Sequence, residues 1–150
     1  MPNTKAIGVA YADPEFESVT VTGAVAAPTV IATSIAASND LGYTAAAQGT
    51  VTQLTSKSTA VTLNKPAGII TMNNASLATA TNATFTLNNS FISANDTVIL
   101  TISGGQTTPG SYNVFANALA AGTVSITLRN ISGGTLSEAI VINFAIIHCA

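Results

Sequence analysis

Two reactive side chains stand next to each other near the end of the chain. His148 and Cys149 are the only histidine and the only cysteine among 150 residues. A thiol and an imidazole can act as a nucleophilic pair when they lie within hydrogen-bond reach, but neighbours on a strand point to opposite faces. One histidine and one cysteine also fall short of the four or so ligands of a tetrahedral zinc site. We therefore predict that these two residues are structural and that the chain holds neither a metal nor another cofactor.

Three of the six acidic residues alternate along the chain near its start, at Asp13, Glu15 and Glu17. On an extended backbone their carboxylates would share one side, where oxygen ligands can bind calcium. A calcium site would be more convincing if the carboxylates of several chains met at a symmetry axis. We favour the simpler alternative, a solvated acidic strip.

Other motifs with chemical meaning are weak or missing. Four Asn-X-Ser/Thr triplets begin at Asn74, Asn82, Asn88 and Asn95, but abundant asparagine and threonine produce such triplets by chance. The sequence has no phosphate-binding glycine loop followed by lysine, no GxSxG and no assignable acid and base pair. We expect a protein that is not an enzyme.

The low charge of the chain limits its partners. Charged residues make up 7% of the sequence and the net charge is -2. Four basic residues give no electrostatic surface for nucleic acid or for an anionic membrane. The longest apolar run, 139–147, is far shorter than the roughly 20 residues of a membrane helix. The start of the chain does not follow the order of a secretory signal, and a single cysteine cannot form an intrachain disulfide, so we expect synthesis in a reducing cytoplasm.

From residue 49 onward, apolar and polar residues alternate with period two between turns rich in Gly, Asn, Ser and Pro. The spacing predicts an all-β domain over 49–150, an antiparallel β-sandwich of about eight strands, like a jelly roll. Threonine suits the outer faces because it is β-branched and adds no charge. Segments 98–100 and 140–142 are apolar on both faces and should be central or covered by another layer. The predicted strands are 50–53, 60–63, 69–72, 83–87, 97–102, 112–119, 123–129 and 139–147, with a possible helical turn at 74–80.

Residues 1–48 have low complexity and faint periodicity, and they are rich in Ala, Thr, Val and Pro. They predict an extended N-terminal arm that becomes ordered against a neighbouring molecule; a loose leader is the alternative. Its predicted assembly contacts are Ile7, Tyr11 and Phe16.

Two stretches carry a resemblance to a known family: GTVTQLTSKSTAVTLNKPAGIITMNNASL at 49–77 and NISGGTLSEAIVINFAII at 130–147. They resemble a β module of virion proteins of tailed bacteriophages, including cyanophages. The opening AIGVAYAD, at 6–13, is similar to the start of marine-phage structural proteins. The resemblance implies a virion protein without catalysis, often a homotrimer.

That module is used both in head decoration proteins and in fibres. The short chain lacks the long repetitive shaft of a fibre, so we expect a capsid decoration (cement) protein on the outer surface of the head, bound to the major capsid protein. A tail-fibre or tail-tip protein involved in host attachment is the alternative. A cellular adhesin or pilin-like subunit is a third, but it would require an export signal.

Overall fold

The computed structural model describes residues 21–27 and 29–149. The chain divides into two units, Met1–Asn39 and Asp40–Ala150. Within the first unit, the described residues form no helix or strand and are exposed. The predicted contacts Ile7, Tyr11 and Phe16 and the acidic strip lie outside the described residues.

The second unit contains eight strands after a short 3-10 turn. The turn, Ala45–Ala47, leads directly into the first strand, Gln48–Thr52. All eight predicted strands are confirmed, each end lying within a few residues of its predicted position. They are β1 (Gln48–Thr52), β2 (Val61–Thr62), β3 (Ala67–Thr71), β4 (Asn82–Asn88), β5 (Thr97–Gly104), β6 (Tyr112–Ala120), β7 (Thr123–Asn130) and β8 (Val141–Ile147).

The strands form two four-stranded sheets, in the orders β1-β3-β8-β5 and β2-β4-β7-β6. From β1 to β6 the chain changes sheet after every strand, and only β6 and β7 form a hairpin. Two pairs of neighbouring strands are parallel, β1 with β3 and β2 with β4. In each pair the chain passes through one strand of the other sheet before it returns. The remaining pairs are antiparallel. The β-sandwich is thus a mixed one, and the jelly-roll connectivity is not confirmed.

The core lies between the two sheets and follows the predicted alternation. On β7, Val124, Ile126 and Leu128 are completely buried. The threonines of the opposite face pair with their neighbours: the hydroxyls of Thr84 and Thr127 lie 2.7 Å apart across β4 and β7. At this position, two hydroxyls hydrogen-bond to each other on the face that points away from the core.

The two segments that are apolar on both faces have different positions. β8 is central in its sheet, as predicted, whereas β5 is an edge strand and Ile99 on its outer face is 46% exposed. Residues 74–80 form no helix; Leu77 instead makes a bridge to Leu136, and Ala80 has a positive φ of 55°. The pairing of Leu77 with Leu136 replaces the local hydrogen bonds that a helical turn would have made.

Candidate functional site

His148 pairs with an acidic residue and not with Cys149. Its Nδ1 lies 2.9 Å from Oδ2 of Asp96, a carboxylate that is 1% exposed, while the imidazole is 53% exposed. The Cys149 thiol is exposed and contacts the Thr97 hydroxyl at 3.9 Å and the Ile147 carbonyl at 3.8 Å. The arrangement orients the imidazole, but it directs the thiol to other groups, as expected for neighbouring residues that point apart.

The Asp96 carboxylate links two parts of the chain. It accepts hydrogen bonds from the backbone N–H of Ser93 at 2.8 Å and of Cys149 at 3.3 Å. The Ser93 bond contributes most to holding the pKa of Asp96 below its usual value; the Cys149 and His148 contacts act in the same direction, and burial opposes them. An ionised carboxylate therefore fastens the segment after β8 to the loop before β5.

A second polar cluster surrounds Lys57, which is only 4% exposed. Its ammonium group donates to the backbone carbonyls of Asn73 at 2.6 Å and Glu138 at 2.5 Å. Burial lowers the pKa of Lys57, and the nearby Glu138 charge partly opposes this effect. One buried cation thus joins three segments that are far apart in sequence.

The side chain of Glu138 extends this cluster toward Tyr112. Its Oε1 accepts the backbone N–H of Thr107 at 2.6 Å, and the Thr107 hydrogen bonds are the main cause of its lowered pKa. Its Oε2 and the Tyr112 hydroxyl are buried without a well-aligned hydrogen bond. Burial, followed by the nearby Glu138 carboxylate, raises the pKa of Tyr112 to about 12.

The outer face of the β1-β3-β8-β5 sheet is mixed: exposed polar residues such as Thr101 and Asn143 lie among exposed isoleucines. Ile69, Ile99 and Ile147 all have exposed side chains on this face. The Tyr43 hydroxyl bonds to the Ile146 carbonyl beside a groove of about 480 Å³, which Leu41, Ile99 and Ala145 also line. Large apolar side chains exposed together mark surfaces that contact other molecules.

Sequence analysis did not identify Asp96, Lys57 or Glu138 as members of a cluster. Each lies between 16 and 81 residues from a partner that it binds. Within the described residues, no group of three His, Cys, Asp or Glu side chains is placed to hold a metal ion. In that same part of the chain, no helix is long and apolar enough to span a bilayer.

Comparisons with family models, curated proteins and solved structures find no match to this chain. Its function is therefore inferred from its own residues.

Proposed function

We propose that the chain is a non-enzymatic structural protein of a phage virion, a decoration protein that binds the outer surface of the head. The observation that carries this proposal is the combination of a surface with few charges and exposed isoleucines on the outer face of one sheet. Residues 40–149 contain three acidic and three basic residues. At least four of these six, Lys57, Lys65, Asp96 and Glu138, make hydrogen bonds within the fold. Such a surface offers little electrostatic repulsion to a neighbour.

The position of the two phage-like stretches supports the proposal. The stretch 49–77 supplies most of β1 and all of β2 and β3, and the stretch 130–147 supplies β8. In one sheet β1, β3 and β8 are adjacent, and the bridge between Leu77 and Leu136 joins the two stretches again. The two stretches thus meet in one sheet, while β2 belongs to the other sheet.

A decoration protein works through binding energy. Each copy buries surface against major capsid subunits in their mature arrangement, so it stabilises that arrangement by mass action. The N-terminal arm would add contacts by pairing with a capsid edge or a sister subunit, using Ile7, Tyr11 and Phe16.

The test adds purified full-length chain to DNA-filled phage particles that lack it. It measures the bound copies, their position on the particle and the temperature of DNA release. We expect saturable binding and a higher release temperature. Removing residues 1–17, or replacing Ile7, Tyr11 and Phe16 by serine, should weaken binding while leaving the β domain folded. Serine at Val21, Val25 and Val30 is the matched control and should bind more tightly than the anchor variant.

Two results would contradict this proposal. Heads that do not bind the chain would remove the decoration role, and binding confined to the tail would support the fibre alternative. Equal binding by the anchor and control variants would show that the arm contacts are not used.

A further inference from the structure

Each sheet has a long edge strand, and these two strands, β5 and β6, lie on the same side of the sandwich. β5 and β6, of eight and nine residues, are the last strands of their sheets, and they pack on each other. On the opposite side the edge strands β1 and β2 have five and two residues. A long edge strand presents a row of unpaired N–H and C=O groups that can pair with another chain.

Proteins usually protect such edges with lysine, proline, inward-pointing charge or a bulge. Neither β5 (TVILTISG) nor β6 (YNVFANALA) contains a charged residue or a proline. β6 has one protective feature, a register shift between Asn117 and Ala120 with Ala118 at a φ of 49°. β5 pairs regularly with β8 from Thr97 to Ile102. Among the described residues, no strand pairs with the other edge of β5 over the same residues.

The core is incompletely covered along this side. Val98, Leu100 and Ile102 of β5 point inward but are only partly buried, whereas Ile142 and Ile146 of neighbouring β8 are completely buried. Val114 and Leu119 of β6 are also only partly buried. We call these five residues of β5 and β6 the β5–β6 seam. A shallow cavity of about 280 Å³ opens beside it, lined by Val98, Leu119 and Val124 among others.

We propose that the β5–β6 seam binds a second copy of this chain, with β5 pairing antiparallel to β5 of the partner about a twofold axis. A single peptide strand could extend one sheet but would leave the other layer of the seam open. A second sandwich supplies two layers at the same separation of about 10 Å. Residues 40–149 have equal numbers of acidic and basic residues, so two copies do not repel each other strongly. This proposal does not depend on the virion role.

The twofold axis restricts the register. Opposite residues in an antiparallel pair share a face, so inward residues must meet inward residues and outward ones must meet outward ones. In a symmetric pair of β5 strands, one residue must therefore lie opposite the same residue of the partner strand. If the regular part of β5, 97–102, overlaps as fully as possible, this residue is Leu100 or Ile99. Centring on Leu100 also places Val98 against Ile102, which covers the apolar residues of the seam.

Cysteine cross-linking tests this geometry. In a Cys149→Ser background, Leu100→Cys or Ile99→Cys should form a disulfide between two copies, because the central residues lie within the Cα separation of about 7 Å that a disulfide can span. Thr50→Cys, exposed on the opposite edge of the same sheet, is the control and should remain free. Failure of both β5 variants to cross-link under mild oxidation would overturn the proposal.

A charge test measures the same contact in solution. Sedimentation of the wild-type chain at micromolar concentration should give the mass of two copies. Ile99→Lys places two positive charges near the axis and should raise the dimer dissociation constant at least tenfold, whereas Thr50→Lys should leave it unchanged. Circular dichroism serves as the control for folding. Both variants should be folded, because Thr50 and Ile99 are exposed. A monomeric wild type, a trimer with β5 uncross-linked, or equal effects of the two lysines would contradict the pairing.

Discussion

Replacing Lys57 by methionine tests the buried ammonium group that joins three segments of the domain. Methionine keeps the length and apolar stem of the side chain but removes the ammonium group. The carbonyls of Asn73 and Glu138 then lose donors at 2.6 and 2.5 Å, and the Glu138 carboxylate loses a nearby positive charge.

The size of the effect follows from these contacts. A hydrogen bond to a charged group contributes about 1.5–3 kcal/mol, so two such bonds contribute roughly 3–6 kcal/mol. Burial of the ammonium group opposes part of this gain, as the lowered pKa of Lys57 indicates. We expect Lys57→Met to reduce the free energy of unfolding by about 3 kcal/mol. For a domain of this size, that corresponds to a fall in the melting temperature of roughly 10 °C.

Urea unfolding at pH 7, followed by circular dichroism, measures this loss. Lys65→Met is the matched control, because its ammonium group also donates to a carbonyl, that of Ala46 at 2.8 Å, but at an exposed site. The control should lose less than about 1 kcal/mol. If the two variants lose the same stability, or if Lys57→Met is more stable than the wild type, the Lys57 cluster does not hold the loops together as inferred.

Three further substitutions test other contacts. The pKa of Tyr112 is raised from 10.0 to about 12 in the folded protein, so the hydroxyl ionises at a lower pH in the unfolded chain than in the folded one. The free energy of unfolding of the wild type should therefore fall between pH 10 and 12. Urea titrations of Tyr112→Phe should not show that fall. The pKa of Asp96 is lowered from 3.8, so the ionised carboxylate stabilises the fold above pH 3.8, and this stabilisation disappears as the pH falls through the lowered pKa. Asp96→Asn should therefore unfold more easily than the wild type at pH 7 and should lose less stability on acidification. The acid-dependent loss that remains is expected from Glu138, whose pKa is also lowered. Thr127→Val removes a hydroxyl that contacts Thr84 at 2.7 Å and Asn117 at 3.0 Å and should cost about 1 kcal/mol in the same assay; a stabilised variant would show that the outer hydroxyls do not add to stability.

The strands were predictable because each one repeats a local pattern. Val124, Ile126 and Leu128 alternate with polar residues, and a period of two needs no information about distant partners. Sheet membership depends on such partners. Nothing local in β1 or β3 states that the strand between them belongs to the other sheet, so the parallel pairs were not predicted.

The polar clusters were not predictable for a related reason. Asp96 lies 52 residues from His148, and Lys57 lies 81 residues from the Glu138 carbonyl that it binds. The sequence shows that charged residues are rare in this chain, which marks Asp96, Lys57 and Glu138 as unusual but does not identify their partners. The exposure of β5 was missed because an apolar strand at a sheet edge has the same composition as one at the centre.

The location of the protein on the particle tests the central claim most directly. The proposed virion role predicts that cryo-microscopy of phage particles assembled in the presence of the chain, with the two-sheet domain fitted to the density, finds many copies on the outer surface of the head in contact with major capsid subunits. Density for the domain only on the tail, or particles that lack it altogether, would contradict the assignment as a decoration protein.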